Sequence, residues 1–199
     1  MLRFPVARGF TLLEVLIALL ITAFGLLGLA GLMSRMQVAE TEGYGRSEAN
    51  ALLWNMTERL YAGAPSTVAA ANTYTNGGGT ATAGTGASGY TAPCTGTGAA
   101  LDLCEWNFSL LGASETRSSA NVGAMAGARG CVTLVAAPDP TIGICHPAIY
   151  RVTVAWQGMV DSADQTGNVN TCGANQFGDE KRRRMVSELV TIGSPGCTN

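Results

Sequence analysis

The chain has 199 residues, of which 47% are hydrophobic and only 13% charged, well below the usual charged share of about 25%. Its formal net charge of −2 gives no electrostatic case for nucleic acid as a partner. The length allows an N-terminal helix and one globular domain.

In chain order, the first nine residues carry two charges, Arg3 and Arg8, and end at Gly9. Gly9-Phe10-Thr11-Leu12-Leu13-Glu14 then opens a run in which Val15 to Met33 has no charge. As a helix, that run spans about 28 Å, close to the roughly 30 Å of a bilayer's hydrocarbon core. Positive charge precedes it, so the leader is expected to stay cytoplasmic and everything after Arg35 to cross. Glu14 is the exception within this apolar stretch. An ionised carboxylate at the bilayer centre costs roughly 2.5–3.5 kcal/mol on insertion scales, and a plain anchor gains nothing from it. The nearest candidate partner is the α-amino group that cleavage between Gly9 and Phe10 would create. A secretory signal fits less well, because the run exceeds the usual apolar length of about 7–15 residues and no small-x-small cleavage site precedes an obvious mature start. Gly25, Gly28 and Gly31 recur along the distal half. They favour close helix packing or loosening on assembly, or simply reflect how common glycine is in membrane helices.

The leader, the Gly9–Glu14 motif and the apolar helix together resemble the N terminus of type IV prepilins and type II secretion pseudopilins. The continuation from Ile17 to Leu32 is similar more specifically to the PilV-type minor pilins. The likeness is tight over residues 1–60 and only a matter of pattern beyond. It implies cleavage by prepilin peptidase after Gly9, N-methylation of Phe10, and pairing of Glu14 with a Phe10 ammonium of its own or an adjacent subunit. It also implies a structural subunit rather than an enzyme. That subunit would lie in the inner membrane with a single pass and a periplasmic C-terminal domain, and would enter the pilus after assembly. Its partners would be other major and minor pilins, prepilin peptidase and the inner-membrane assembly platform. Loss of Arg3 and Arg8 with the leader would take the formal charge from −2 to −4. The rival readings are a minor pseudopilin of a type II secretion system and a pilus-borne adhesin or binding module.

Past Met33, charges return, and Ala49, Leu52, Leu53, Met56 and Leu60 form one stripe of an amphipathic helix. Gly43 and Gly45 flank Tyr44 and mark a possible bend. The helix is expected from Thr11 to Tyr61, stopped by Gly63-Ala64-Pro65. Residues 64–100 are poor in large apolar side chains, and eight of the 25 residues in 76–100 are glycine, so this stretch reads as an exposed loop. It contains Gly84-x-Gly86-x-x-Gly89, nominally a dinucleotide fingerprint, but no strand is predicted before it and no helix after it.

Leu101–Leu111 reads as a strand or a short helix around Trp106. Cys131–Ala136, Ile149–Trp156 and Met185–Ile192 alternate as strands. The expected fold is therefore α+β and pilin-like, a long N-terminal helix packed on a small antiparallel sheet. Its parts are a leader (1–9), a transmembrane and assembly helix (10–33), an amphipathic periplasmic helix (34–62), a Gly/Thr/Ala-rich loop (63–100) and a disulfide-containing sheet domain (101–199).

All six cysteines, Cys94, Cys104, Cys131, Cys145, Cys172 and Cys197, lie beyond the apolar segment and are candidate disulfide partners. Cys172–Cys197 is the preferred bridge, because it would tie down the C-terminal segment. No catalytic residue, metal or cofactor is expected. The one histidine, His146, sits between Cys145 and Pro147 with no acid close in sequence, and no Gly-x-Ser-x-Gly elbow occurs. Asp161, Asp164, Asp179 and Glu180 lack EF-hand spacing and read as solvated loop acids. Lys181-Arg182-Arg183-Arg184 is where phosphate would dock. The plainer reading is a charged strand start balanced by Asp179 and Glu180, with cations blunting a sheet edge.

Overall fold

The structure is a computed structural model that describes residues 9–65, 67–113, 116–117, 120–121, 125, 127–139, 141 and 145–193. Chain contacts divide it into two units, Met1–Thr41 and Glu42–Asn199. Helix α1, Leu12–Gly63, begins in the first and ends in the second. In the first unit every described side chain from Phe10 to Met36 is exposed.

The second unit is an α+β domain. After α1 come α2 (Val68–Thr73), β1 (Thr80–Gly84), α3 (Ala99–Leu110) and a two-stranded pair, β2 (Thr116–Arg117) and β3 (Ala120–Asn121). β4 (Arg129–Ala136), β5 (Ala148–Gln157), a 3-10 turn at Glu180–Arg182 and β6 (Arg183–Ile192) complete it. The main sheet is antiparallel with strand order β1-β4-β5-β6. Alternation along β5 turns Tyr150, Val152, Val154 and Trp156 into the core, and β4 adds Val132. The α1 stripe expected from spacing is the buried one: Ala49, Leu52, Leu53, Met56 and Leu60.

Trp106 on α3 sits at the centre of this packing. It is fully buried, and its indole N–H donates to the Leu52 carbonyl of α1 at 2.8 Å. Gly130 lies across from it on β4, where a Cβ would overlap the Trp106 ring and Leu110. A glycine in mid-strand therefore marks a close approach of helix to sheet. Gly45, one of the two glycines expected to mark a bend, lies within the helix, and a Cβ there would come 3.2 Å from the Trp156 indole nitrogen. Arg59 of α1 bridges Asp102 and Glu105 of α3 at 3.3 and 2.6 Å, and the Tyr74 hydroxyl donates to Asp102 at 2.6 Å.

Two expectations need correction, and one open choice is decided. The stretch read as an exposed loop contains α2 and β1, and β1 pairs along β4 from Thr80↔Thr133 to Gly84↔Arg129. The segment around Trp106, read as a strand or a short helix, is the helix α3. Cys172 is bonded to Cys131 rather than Cys197, because the β5–β6 loop folds back over the outer face of the sheet. Cys94 is bonded to Cys104, Cys145 is also in a disulfide, and Cys197 lies outside the described residues. By loop-closure entropy, the Cys131–Cys172 bridge, spanning 41 residues, is worth about 4 kcal/mol, and Cys94–Cys104, spanning 10, about 3 kcal/mol.

Tyr150 gives a pH signature. Its hydroxyl is buried and has no hydrogen-bond partner among the described residues, and burial pushes its pKa up to about 12. A pKa raised by folding adds stability that is present below the unfolded value of about 10 and is lost as pH rises toward the folded value. Tyr150→Phe should therefore reduce the stability lost between about pH 9 and pH 12, while at neutral pH it changes stability by less than about 1 kcal/mol or raises it. Urea denaturation at both pH values measures this; an unchanged alkaline loss would contradict it.

Candidate functional site

The N-terminal site is built by the first turn of α1. Thr11 precedes the helix, and its hydroxyl accepts from the Glu14 N–H at 3.3 Å, while its carbonyl accepts from the Glu14 and Val15 N–H groups at 3.1 and 3.3 Å. Thr11 is thus the N-cap and Glu14 stands at the third helical position, the spacing of a capping box. A carboxylate there is also favoured by the helix dipole. The role of Thr11 as cap was missed in the sequence, though threonine three residues before a glutamate was the available signal.

Among the described residues, the Glu14 carboxylate has no hydrogen bond or ion pair, and Phe10 is exposed. Around them stand Leu12, Leu13, Leu16 and Ile17, all exposed. The helix contains an 18-residue window of mean hydropathy 2.6, none of it buried, and is long and apolar enough to cross a membrane. Such a site can do one chemical thing well: hold a negative charge at the edge of an apolar surface until a cation arrives.

Residues 6–30 match the family model described as the prokaryotic N-terminal methylation motif. This stretch carries the methylation motif characteristic of type IV prepilins and pseudopilins. Gly9, Phe10 and Glu14 all lie within the matched stretch of this prepilin-type segment. No curated protein and no solved structure matches the chain.

The basic run is committed elsewhere. Arg183 is buried, pairs with Glu180 at 2.6 Å, and donates to the carbonyls of Gln165, Asn170 and Cys172. It holds the 158–182 loop in place from inside. Arg184 pairs with Glu42 at 3.2 Å and donates to the Val160 and Lys181 carbonyls. Glu42 in turn accepts from the Met159 N–H at 2.7 Å. Arg182 pairs with Asp161 at 3.0 Å on the surface. Three of the four cations are therefore engaged within the domain, which supports the reading of a balanced strand start over a phosphate dock. The loop acids are occupied too. Asp179 accepts from the Lys181 N–H, and Asp164 accepts from Thr166, which with Lys181 holds its carboxyl below the usual range. Among the described residues, no three His, Cys, Asp or Glu side chains converge as a metal site.

The two arginines should separate sharply. Arg183→Ala takes the ion-pair partner from Glu180 and a donor from three loop carbonyls, and is expected to cost about 3 kcal/mol. Arg182→Ala removes a solvent-screened pair and should cost under about 1 kcal/mol. Chemical denaturation of both variants decides; equal losses would contradict the assignment of Arg183 as the loop's internal staple.

Proposed function

We propose that this protein is a minor type IV pilin of the PilV type. In this reading it is a structural subunit that prepilin peptidase cleaves after Gly9 and methylates at Phe10. It is held in the inner membrane by a single pass with its disulfide-bonded domain in the periplasm, and is then drawn into the pilus by the assembly platform. The observation that carries the reading is the methylation motif leading into an apolar segment, residues 12–33, whose one acid, Glu14, has no partner within the described residues. The Phe10 ammonium, its own or a neighbour's, is the matching cation. Each charge pays a desolvation cost alone in an apolar fibre core, and pairing offsets part of both. The continuation from Ile17 to Leu32 favours the PilV type over a pseudopilin. In this reading the subunit is present in few copies and primes assembly together with other minor pilins near the tip.

A deletion strain tests this. It should show few surface pili, and the tagged protein should appear in sheared pilus fractions of the complemented strain. Normal piliation with a defect in protein export would favour the pseudopilin. Normal piliation with a defect only in attachment would favour the adhesin.

A further inference from the structure

On the outer face of the sheet, turned away from Trp106, the β1–β4 side is polar, while Ala155 and Met185 pack with Phe177 farther across. Strand register places Thr80 and Thr82 of β1 there, with Arg129, Cys131 and Thr133 of β4 and Arg151 and Thr153 of β5. The β5–β6 loop roofs part of this face and is bonded to it through Cys131–Cys172. Two grooves of about 320 and 290 Å³ remain beside the loop. They share Thr82, Cys131, Thr171 and Gly173, so they form one trough. Arg129 lines one end and Arg151 the other, and among the described residues no Asp or Glu lines either.

Both cations lack a counter-charge among the described residues. Among the described residues neither arginine forms an ion pair, whereas Arg59, Arg182, Arg183 and Arg184 all do. The Nε of Arg129 is buried and has no hydrogen-bond partner among the described residues. Its guanidinium lies against Gly86, where a Cβ would come 2.8 Å from one terminal nitrogen. Gly84 and Gly86 have φ of +87° and +79°, a conformation open to glycine. The glycine pair that imitates a nucleotide fingerprint thus makes a turn that walls the arginine.

We infer that this trough is a carboxylate-binding site. The Arg129 fork takes one carboxylate, with the hydroxyls of Thr82, Thr85 and Thr171 lining the same groove. Arg151 is offset by four residues and one strand, about 14 Å between Cα positions, and is placed for a second acidic group on the same ligand. A ligand with two acidic groups set apart engages both cations, which a lone phosphate held on the Arg129 fork does not. The inference does not depend on the pilin reading.

Isothermal titration of the full-length protein in neutral detergent tests it, with sodium acetate, inorganic phosphate and hexaglutamate as probes. Saturable binding of acetate or hexaglutamate, with phosphate weaker, is the expected result. Hexaglutamate binding at least about tenfold tighter than acetate assigns the trough to an acidic protein segment, and equal affinity per site assigns it to a small carboxylate. Arg129→Gln should abolish binding, and Thr82→Ala and Arg151→Gln, both at exposed or half-exposed strand positions, should weaken it should Arg129→Gln fail to fold. The inference is overturned by no saturation up to about 50 mM of either carboxylate, by tighter phosphate binding, or by full affinity in the folded variants.

Discussion

Glu14→Ala is expected to remain in the membrane fraction and to fall at least about tenfold in sheared pili, the factor set by some 1.4 kcal/mol of lost subunit pairing. Insertion itself should become easier, because the variant no longer carries an acid costing roughly 2.5–3.5 kcal/mol in the apolar span. Glu14→Gln separates charge from shape. It keeps the length of the side chain and the N–H bond to Thr11, which belongs to the backbone, but it cannot neutralise an ammonium. If pairing with the Phe10 amine is what matters, Gln behaves like Ala, whereas Glu14→Asp retains partial incorporation. Quantitative immunoblots of membrane and pilus fractions measure all three. Incorporation of Glu14→Gln at the wild-type level would refute the ionic role.

The second large effect lies in the globular domain. Trp106→Ala removes the fully buried ring between α1 and the sheet and should cost about 3–5 kcal/mol. That is a large share of the roughly 5–15 kcal/mol that holds a domain folded. Trp106→Phe keeps much of the ring but leaves the Leu52 carbonyl without the indole donor, so about 1–2 kcal/mol is expected. Denaturation followed by near-ultraviolet circular dichroism reads both. A loss under about 1 kcal/mol for Trp106→Ala would mean that the ring is not the centre of the packing.

The N-terminal motif was legible because its signal is linear, although the capping role of Thr11 went unread. Gly9 to Glu14 are consecutive residues at a helix start, and their chemistry needs no fold to assemble it. The α1 stripe and strands β4, β5 and β6 were legible because large apolar residues mark which face is buried. β1 carried no such mark. Its inward residues are Ala81 and Ala83, too small to produce an alternating signal, and the glycines around it suggested a loop. The bridge between Cys131 and Cys172 depends on a 41-residue excursion that returns across the sheet, and nothing local in the chain encodes that path. Arg183 misled for a similar reason. Four cations in a row suggest a solvated surface, yet one of them is buried because the loop's carbonyls supply what water otherwise would. The unpaired Arg129 emerged only when register placed it beside Gly86.

The most direct check on the central claim is mass spectrometry of the N-terminal peptide from the native protein. A mature chain beginning at N-methylated Phe10 is the expected result. A chain that still carries Met1 to Gly9 would leave Glu14 without its amine and contradict the account.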